Sequence, residues 1–375
     1  MMPPNMIPVL DPNPLPAPYW VFKLLLIVTF FLHIVAMNFM LGGAVLALVS
    51  KWRAKNREHG NRVFFDVAKK VPSLLPATIT LGIAPLLFVQ VLYGQFFYTS
   101  SIILAWPWFL VLVFLTIAYY GFYYASFQSG HHAGRAGKVM LCSVILTFLI
   151  GFVYSNNLML SQTPSRWSVK YLAGPAGWNL NLSEPTLIPR FLHFMVAAVA
   201  MGGLLLVFIA LANWKRDRQY ARQVLQFGGK AFMYATMAQI LVGIIFLVTL
   251  PREMRMLYMG DNPLATTLLL VGVVGGIGAI FLMSGALRKE NLRVAAFYVP
   301  GITAVVILCM SVMRDILRDA YLAPYFHPGQ FVVNTQWAVF PLFLVLFIAG
   351  VILWLVMLKR YGMFGGAKGA NRPQP

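Results

Sequence analysis

The chain has 375 residues, of which 60% are hydrophobic and 10% are charged, and its mean hydropathy is +0.75. This composition excludes a compact water-soluble monomer and indicates a polytopic membrane protein with one membrane domain. The formal net charge of +19 is carried by short basic loops without a folded domain, which is typical of cytoplasmic loops and argues against nucleic acid as a partner.

Nine apolar segments are long enough to cross about 30 Å of hydrocarbon, which takes roughly 20 helical residues. The boundary between the second and third is the least distinct, because only residues 98–101 and the Trp106-Pro107-Trp108 cluster separate them. The predicted fold class is therefore an all-α membrane protein with nine transmembrane helices. These run approximately over residues 20–50, 71–98, 102–127, 138–160, 187–213, 228–250, 264–286, 294–313 and 336–358.

The basic residues predict how the helices are oriented. With the 51–70 loop in the cytoplasm, alternation through nine helices places 21 of the 29 Lys and Arg residues on the cytoplasmic side. The N-terminus is then outside and the C-terminus is in the cytoplasm. A multi-pass protein of the bacterial inner membrane, surrounded by lipid, fits this pattern.

Three segments organise the chain around the membrane. Residues 1–19 are rich in proline and predict an extended outer segment, residues 20–360 form the nine-helix membrane domain, and residues 361–375 predict a disordered cytoplasmic tail. The outer loop over residues 161–186 is long enough for an interfacial helix or a cap.

The acidic residues bear on the class of membrane protein. All of them are expected in loops or at helix ends, so none lies at mid-membrane, where a proton- or sodium-coupled transporter needs an acid as ion ligand. That expectation counts against such a transporter. The ten acids are Asp11, Glu58, Asp66, Glu184, Asp217, Glu253, Asp261, Glu290, Asp315 and Asp319.

Two histidines, His33 and His193, lie within predicted helices, both in the outer half of the membrane. A buried neutral imidazole can simply hydrogen-bond a neighbouring helix. The alternative is axial ligation of haem iron, as in b-type cytochromes. Small residues over 197–203 would let a flat macrocycle lie close to the backbone after His193, and Arg190 is one turn further out, where a haem propionate would emerge.

A low-spin haem needs a second axial ligand. Met310 and Met313 lie near the outer end of the eighth segment, at about the depth of His193, and Met310 is the better candidate of the two. With 19 methionines in the chain, any one of them can equally be core filling. Arg314 follows directly and could pair with a propionate or serve as an interfacial anchor.

These helices resemble subunit I of the cytochrome bd quinol oxidases. The segment from Phe31-Leu32-His33 to Leu41-Gly42-Gly43 is similar to the family's first helix, whose histidine binds the high-spin b haem. Ile188-Pro189-Arg190-Phe191-Leu192-His193 is similar to the fifth helix, whose histidine binds the low-spin b haem. Nine helices, an outside N-terminus and outer-side haem sites match as well.

The chain departs from the family in its acidic residues and its quinol loop. The family carries glutamates in an early helix, where this chain has residues 82–95 with Gln90 and Gln95 but no Glu. The family's long quinol loop after the sixth helix is reduced here to residues 251–262, and its late-helix Glu has no counterpart beside Arg314. The resemblance therefore implies haem binding and electron transfer more than oxygen reduction.

The sequence predicts an integral membrane subunit that binds one or two b haems and oxidises menaquinol or ubiquinol. Its electrons would pass to a periplasmic c-type or multihaem cytochrome, possibly beside a second membrane subunit. No CxxC or CxxCH motif is present, so the haem is expected to be non-covalent. For quinol the sequence offers Glu253 and Arg255. The alternatives are an oxygen-reducing bd-like oxidase and a haem-free transporter or membrane anchor.

Overall fold

The fold was obtained as a computed structural model, which describes residues 13–54, 57–128, 132–174 and 176–360. Within these ranges the chain is helical and contains nine helices that are long and apolar enough to cross a membrane. The predicted all-α membrane fold is thus confirmed. The helices are α1 (Tyr19–Arg53), α2 (Arg57–Ala68), α3 (Val71–Leu104), α4 (Trp106–Phe127), α5 (Ala133–Ser161), α6 (Trp167–Ala173), α7 (Leu187–Asn213), α8 (Arg218–Thr249), α9 (Arg252–Met256), α10 (Pro263–Lys289), α11 (Val299–Leu322) and α12 (Val339–Arg360).

The second and third predicted segments are separate helices. The break lies at Ala105, whose φ of 38° ends α3, and α4 begins with Pro107 in its first turn. Proline favours that position because its missing N–H would be unpaired there anyway. The backbone N–H of Trp106 donates instead to the carbonyl of Gly177, at 3.0 Å.

The predicted end of the eighth segment, at residue 313, is wrong. α11 continues to Leu322. Asp315 lies two turns before the end of this helix and is only 6% exposed. Lys23 of α1 and Arg318 of α11 both form ion pairs with Asp315 at this position. A carboxylate that is paired in this way can be buried within the apolar bundle.

Helix α7 forms the centre of the bundle, and small residues set its distance from its neighbours. A Cβ atom on Gly42 of α1 would overlap the carbonyl of Ala198, and one on Gly202 would overlap the backbone of Gly42. The backbones of α1 and α7 therefore touch along this stretch. The glycines that follow His193 serve helix packing, which was one of the two roles that their sequence context allowed.

Specific hydrogen bonds hold several of the segments that connect the helices. At the end where α1 begins, Leu15 exchanges backbone hydrogen bonds with Val332 and Asn334, at 2.8 and 2.9 Å. The loop after α5 contains the short helix α6, as the length of that loop predicted, and the Trp167 indole donates to the Leu160 carbonyl at 2.8 Å. Residues 1–12 and the tail 361–375, for which an extended segment and disorder were predicted, lie outside the described residues.

Candidate functional site

A cavity of about 340 Å³ opens among α1, α7, α8, α10 and α11, towards the end of the bundle where α1 begins. Its volume is within the range of small-molecule and cofactor pockets. Most of its wall is aliphatic or aromatic. Five residues predicted as cofactor-binding line it together: Arg190, His193, Met310, Met313 and Arg314.

His193 projects into the cavity from α7. Its ring lies against Gly243 of α8, where a Cβ atom would come within 3.2 Å of the imidazole Cε1. Phe246, one turn further along α8, lies at 6.4 Å between ring centroids. The buried Nδ1 of His193 has no hydrogen-bond partner among the described residues, so the hydrogen-bonding role that was considered for this imidazole is not realised here.

Met310 and Met313 reach the cavity from α11. A Cβ atom on Gly272 of α10 would come within 3.0 Å of the Met310 Cε, so this glycine makes room for the thioether. The Met313 side chain is 8% exposed and belongs to a buried cluster with Leu317, and its backbone carbonyl accepts a hydrogen bond from the Tyr258 hydroxyl at 2.9 Å. Met310 is only partly buried against that cluster.

Arg190, which is buried, and Arg314, which is half-buried, carry two positive charges at the cavity. Arg190 is 5% exposed, and its Nε and one terminal nitrogen have no hydrogen-bond partner; the Nε of Arg314 has none either. Each guanidinium lies over an aromatic ring, Arg190 over Phe246 at 5.0 Å and Arg314 over Phe30 at 4.2 Å. Neither forms an ion pair within the described part of the chain.

His33 lies apart from these residues. Phe30, Ile34 and Asn38 of α1 face the cavity, whereas His33 points towards α3, where its Nδ1 hydrogen-bonds the Thr78 carbonyl at 2.9 Å. A Cβ atom on Gly82 would come within 2.8 Å of the imidazole, so a glycine is needed there. The structure thus separates the two histidines that the sequence singled out.

The sequence reasoning missed a set of paired charges near the cavity. Lys23 forms ion pairs with Asp315, at 3.0 Å, and with Asp319, while Arg318 pairs with Asp315. Tyr93 of α3 donates a hydrogen bond to Asp319 at 2.6 Å. A lysine four residues into the first helix was an available sequence signal, because an ammonium group inside a membrane helix usually has a partner.

Two uncharged residues of the cavity were missed as well. Asn38 is 2% exposed and lines the cavity from α1, and Gln239 lines it from α8. By contrast, Glu253 and Arg255, which were suggested for quinol, lie on the short helix α9, outside the cavity lining. Glu253 is exposed, and Arg255 donates to the Val248 carbonyl at 3.2 Å.

The site offers a particular set of chemical groups. An imidazole and a thioether are the usual axial ligands of a low-spin haem iron. Guanidinium groups with unpaired donors suit carboxylates, and buried cations without partners cost free energy until an anion reaches them. The residues present therefore fit a flat cofactor that has a metal at its centre and carboxylates at one edge.

Comparison with known proteins gives one informative result. No protein-family description matches the sequence, and no curated protein sequence matches it. Among solved structures, a chain of the bd oxidase from Geobacillus thermodenitrificans is similar over 92% of this chain and 98% of that one, with a TM-score of 0.66 and 14% sequence identity. At this identity the likeness shows the fold, which is that of the bd oxidase chain.

Proposed function

We propose that this protein is a haem-binding electron-transfer subunit of the bacterial inner membrane that oxidises quinol and passes electrons to a periplasmic cytochrome. One observation carries the proposal: two guanidinium groups with buried, unpartnered nitrogens line the same cavity as His193 and Met310. The bd oxidase fold is consistent with it.

The residues would divide the binding of haem b between them. His193 and Met310 would be its axial ligands, with Met313 as the alternative thioether, and Arg190 and Arg314 would hold the propionates. When bound, the haem supplies an iron that accepts and releases one electron. The apolar wall of the cavity would keep water from the iron, and the two guanidinium charges would favour the anionic edge of the ligand.

His33 is proposed as ligand of a second haem. The hydrogen bond between its Nδ1 and the Thr78 carbonyl, 2.9 Å long, fixes the ring so that Nε2 is the nitrogen available to a metal. Gly82 has no side chain and therefore leaves room for the His33 ring in this position. This site is independent of the cavity, since His33 faces α3, so its loss should leave the first haem bound.

Electron exchange is proposed at the end of the bundle where α1 begins, because the cavity lies towards that end. The short helix α9, with Glu253 and Arg255, belongs to the same end and is the proposed region for quinol. The predicted topology makes this the periplasmic side, where a cytochrome partner could accept electrons. A second membrane subunit would pack beside the chain in the lipid bilayer.

The test is the haem content of purified variants. His193→Ala should remove one haem from the pyridine haemochrome count, and Met310→Leu should keep the haem but change the reduced-minus-oxidised spectrum from low-spin to high-spin. Met140→Leu is the matched control, because Met140 is fully buried on α5 and does not line the cavity. An unchanged haem content in His193→Ala would reject the assignment, and a colourless wild-type protein would favour a haem-free anchor or transporter.

An oxygen-reducing quinol oxidase is the second candidate function. The fold of a bd oxidase chain favours it, and Gln90 and Gln95 would have to take the place of the family's acids. Oxygen uptake driven by quinol in proteoliposomes distinguishes the two functions. Uptake by the purified protein without a cytochrome acceptor supports the oxidase, and its absence supports the electron-transfer subunit.

A further inference from the structure

The cavity has a second polar end, away from the two arginines. Arg314 lies over the ring of Phe30, and Asn38 follows Phe30 on the same face of α1 by eight residues, which is about 12 Å along a helix. On α8, Gln239 precedes Phe246, the ring beneath Arg190, by seven residues, or roughly 10 Å. Both amides therefore lie deeper in the bundle than the arginines.

The two amide oxygens at this inner end have no hydrogen-bond partner within the described protein. The buried Oδ1 of Asn38 and the buried Oε1 of Gln239 have no hydrogen-bond partner among the described residues. Thr236 and Thr303 also line the cavity, but their hydroxyls donate to the carbonyls of Phe232 and Val299 in their own helices, at 2.7 and 2.8 Å. The threonines can therefore only accept a hydrogen bond from a ligand.

The two ends of the cavity call for different ligand groups. The arginine end offers donors and positive charge, which suit carboxylates. The inner end offers acceptors and two amides, and a hydroxyl suits it because a hydroxyl both donates and accepts, whichever way each amide is turned. An apolar ligand edge would leave both amides without partners, which weakens binding by about tenfold for each group.

We propose that Asn38 and Gln239 form a specificity subsite that binds a hydroxyl group on the edge of the macrocycle opposite its carboxylates. The inference rests on the proposed function and specifies which haem substituents the cavity binds. The cavity then selects a haem with a hydroxyl-bearing substituent at that edge over a haem with hydrocarbon substituents there. Asn38 and Gln239 distinguish the two ligands, while Arg190 and Arg314 bind both.

Three iron porphyrins that differ only at this edge can test the subsite on the apo form of the full chain. Protohaem carries vinyl groups there, mesohaem carries ethyl groups, and haematohaem carries hydroxyethyl groups; all three keep the propionates. Optical titration should give haematohaem an affinity about 100-fold higher than that of mesohaem, about tenfold for each amide. The preference should fall to about tenfold in Asn38→Leu and in Gln239→Met, and to near unity in the double variant.

Gln226→Met is the matched control. Gln226 is on the same helix, but its amide donates to the Leu287 carbonyl at 3.1 Å and it does not line the cavity, so the preference should persist. Equal or tighter binding of mesohaem to the wild-type protein overturns the subsite while leaving the haem site in place. Binding of none of the three porphyrins overturns the proposed function, and the subsite with it.

Discussion

Arg314 and Asp315 are consecutive residues of α11, yet their side chains have opposite surroundings. Asp315 lies between Lys23 and Arg318, which both form ion pairs with it. Arg314 and Arg190 both line the cavity, and neither forms an ion pair within the described part of the chain. The fold thus neutralises one set of buried charges and leaves the adjacent set unpaired.

This difference indicates where a ligand belongs. Burying an ion without its counter-ion costs several kcal/mol, and the paired set shows that this end of the bundle can supply carboxylates within α11 itself. The unpaired arginines would therefore destabilise the empty protein and be stabilised by an anion from outside the chain. Changes in the two sets should have opposite effects on the empty protein.

The largest effect is expected when the paired set is broken. Asp315→Asn leaves Lys23 and Arg318 without their shared carboxylate, and losing one partner of a buried pair costs about 3–5 kcal/mol. Thermal unfolding in detergent, without added cofactor, measures it. Asp217→Asn is the control, because the Arg62–Asp217 pair is 45% and 36% exposed, so solvent screens it and its loss should matter much less. Equal losses in both variants would contradict the paired set.

Removing a charge from the unpaired set should do the reverse. Arg314→Met takes away a half-buried charge without an ion-pair partner, so the empty protein should be unchanged or more stable, by up to about 1 kcal/mol. Its affinity for haem should fall about 10- to 100-fold, because one propionate loses its charge-assisted hydrogen bonds. Thermal unfolding of the empty protein and optical haem titration measure the two quantities.

The stability of Arg314→Met should be compared with that of Arg318→Met. Arg318 is 3% exposed, one turn from Arg314 on the same helix, but it pairs with Asp315. Its loss should destabilise the empty protein, because Asp315 keeps a single partner. If Arg314→Met destabilised the empty protein as much as Arg318→Met, Arg314 would have an ion-pair partner within the protein. The prediction would then be wrong.

The sequence could predict one of these two sets and not the other. Arginines, a histidine and methionines inside apolar helices are local signals, so Arg190, His193, Met310 and Arg314 could be found without the structure. Asp315 could not be placed, because its partner Lys23 is near the opposite end of the chain and a helix end was the simplest position for an acid. Pairing between distant helices is a tertiary property.

Helix phase explains the other difference between expectation and structure. His33 and His193 have similar depth and similar neighbours in the sequence, which led to similar roles. On α1, however, Ile34 faces the cavity, and His33 is one residue away, about 100° around the helix, towards Thr78 of α3. The depth of a side chain in the membrane follows from counting residues along its helix. The direction of the His33 side chain depends on which faces of α1 are covered by α3 and α7.

A smaller effect is expected at the outer edge of the paired set. The Asp319 side chain is 27% exposed, so water compensates part of the charge that Asp319→Asn removes, and the loss should be about 1 kcal/mol. Tyr93→Phe removes the hydroxyl that hydrogen-bonds Asp319 at 2.6 Å. The double variant should lose less than the sum of the two single variants in thermal unfolding. Strict additivity would mean that the two side chains do not act together.

An effect of similar size, which depends on pH, concerns Tyr258, which is 5% exposed in the turn before α10, near Arg190. Burial raises the pKa of the Tyr258 phenol, although the positive charge of Arg190 opposes the shift. A group with a raised folded-state pKa contributes stability below its unfolded pKa, about 10 for tyrosine, and loses it as the pH rises towards the folded value. Tyr258→Phe should cost about 1 kcal/mol at neutral pH, because the hydrogen bond to the Met313 carbonyl is lost.

Above about pH 10 the difference between the two proteins should shrink, because the phenol ionises in the unfolded wild type while burial keeps it protonated in the folded protein. Unfolding midpoints between neutral and alkaline pH measure this convergence, and Tyr234→Phe, at an exposed position on α8, is the control. A difference that grew with pH would mean that the ionised phenol pairs with Arg190. The guanidinium would then have a counter-charge within the chain at high pH, and haem affinity should fall over the same pH range. A constant haem affinity would mean that Arg190 has no counter-charge within the protein at any pH in this range, unlike Asp315, which is paired.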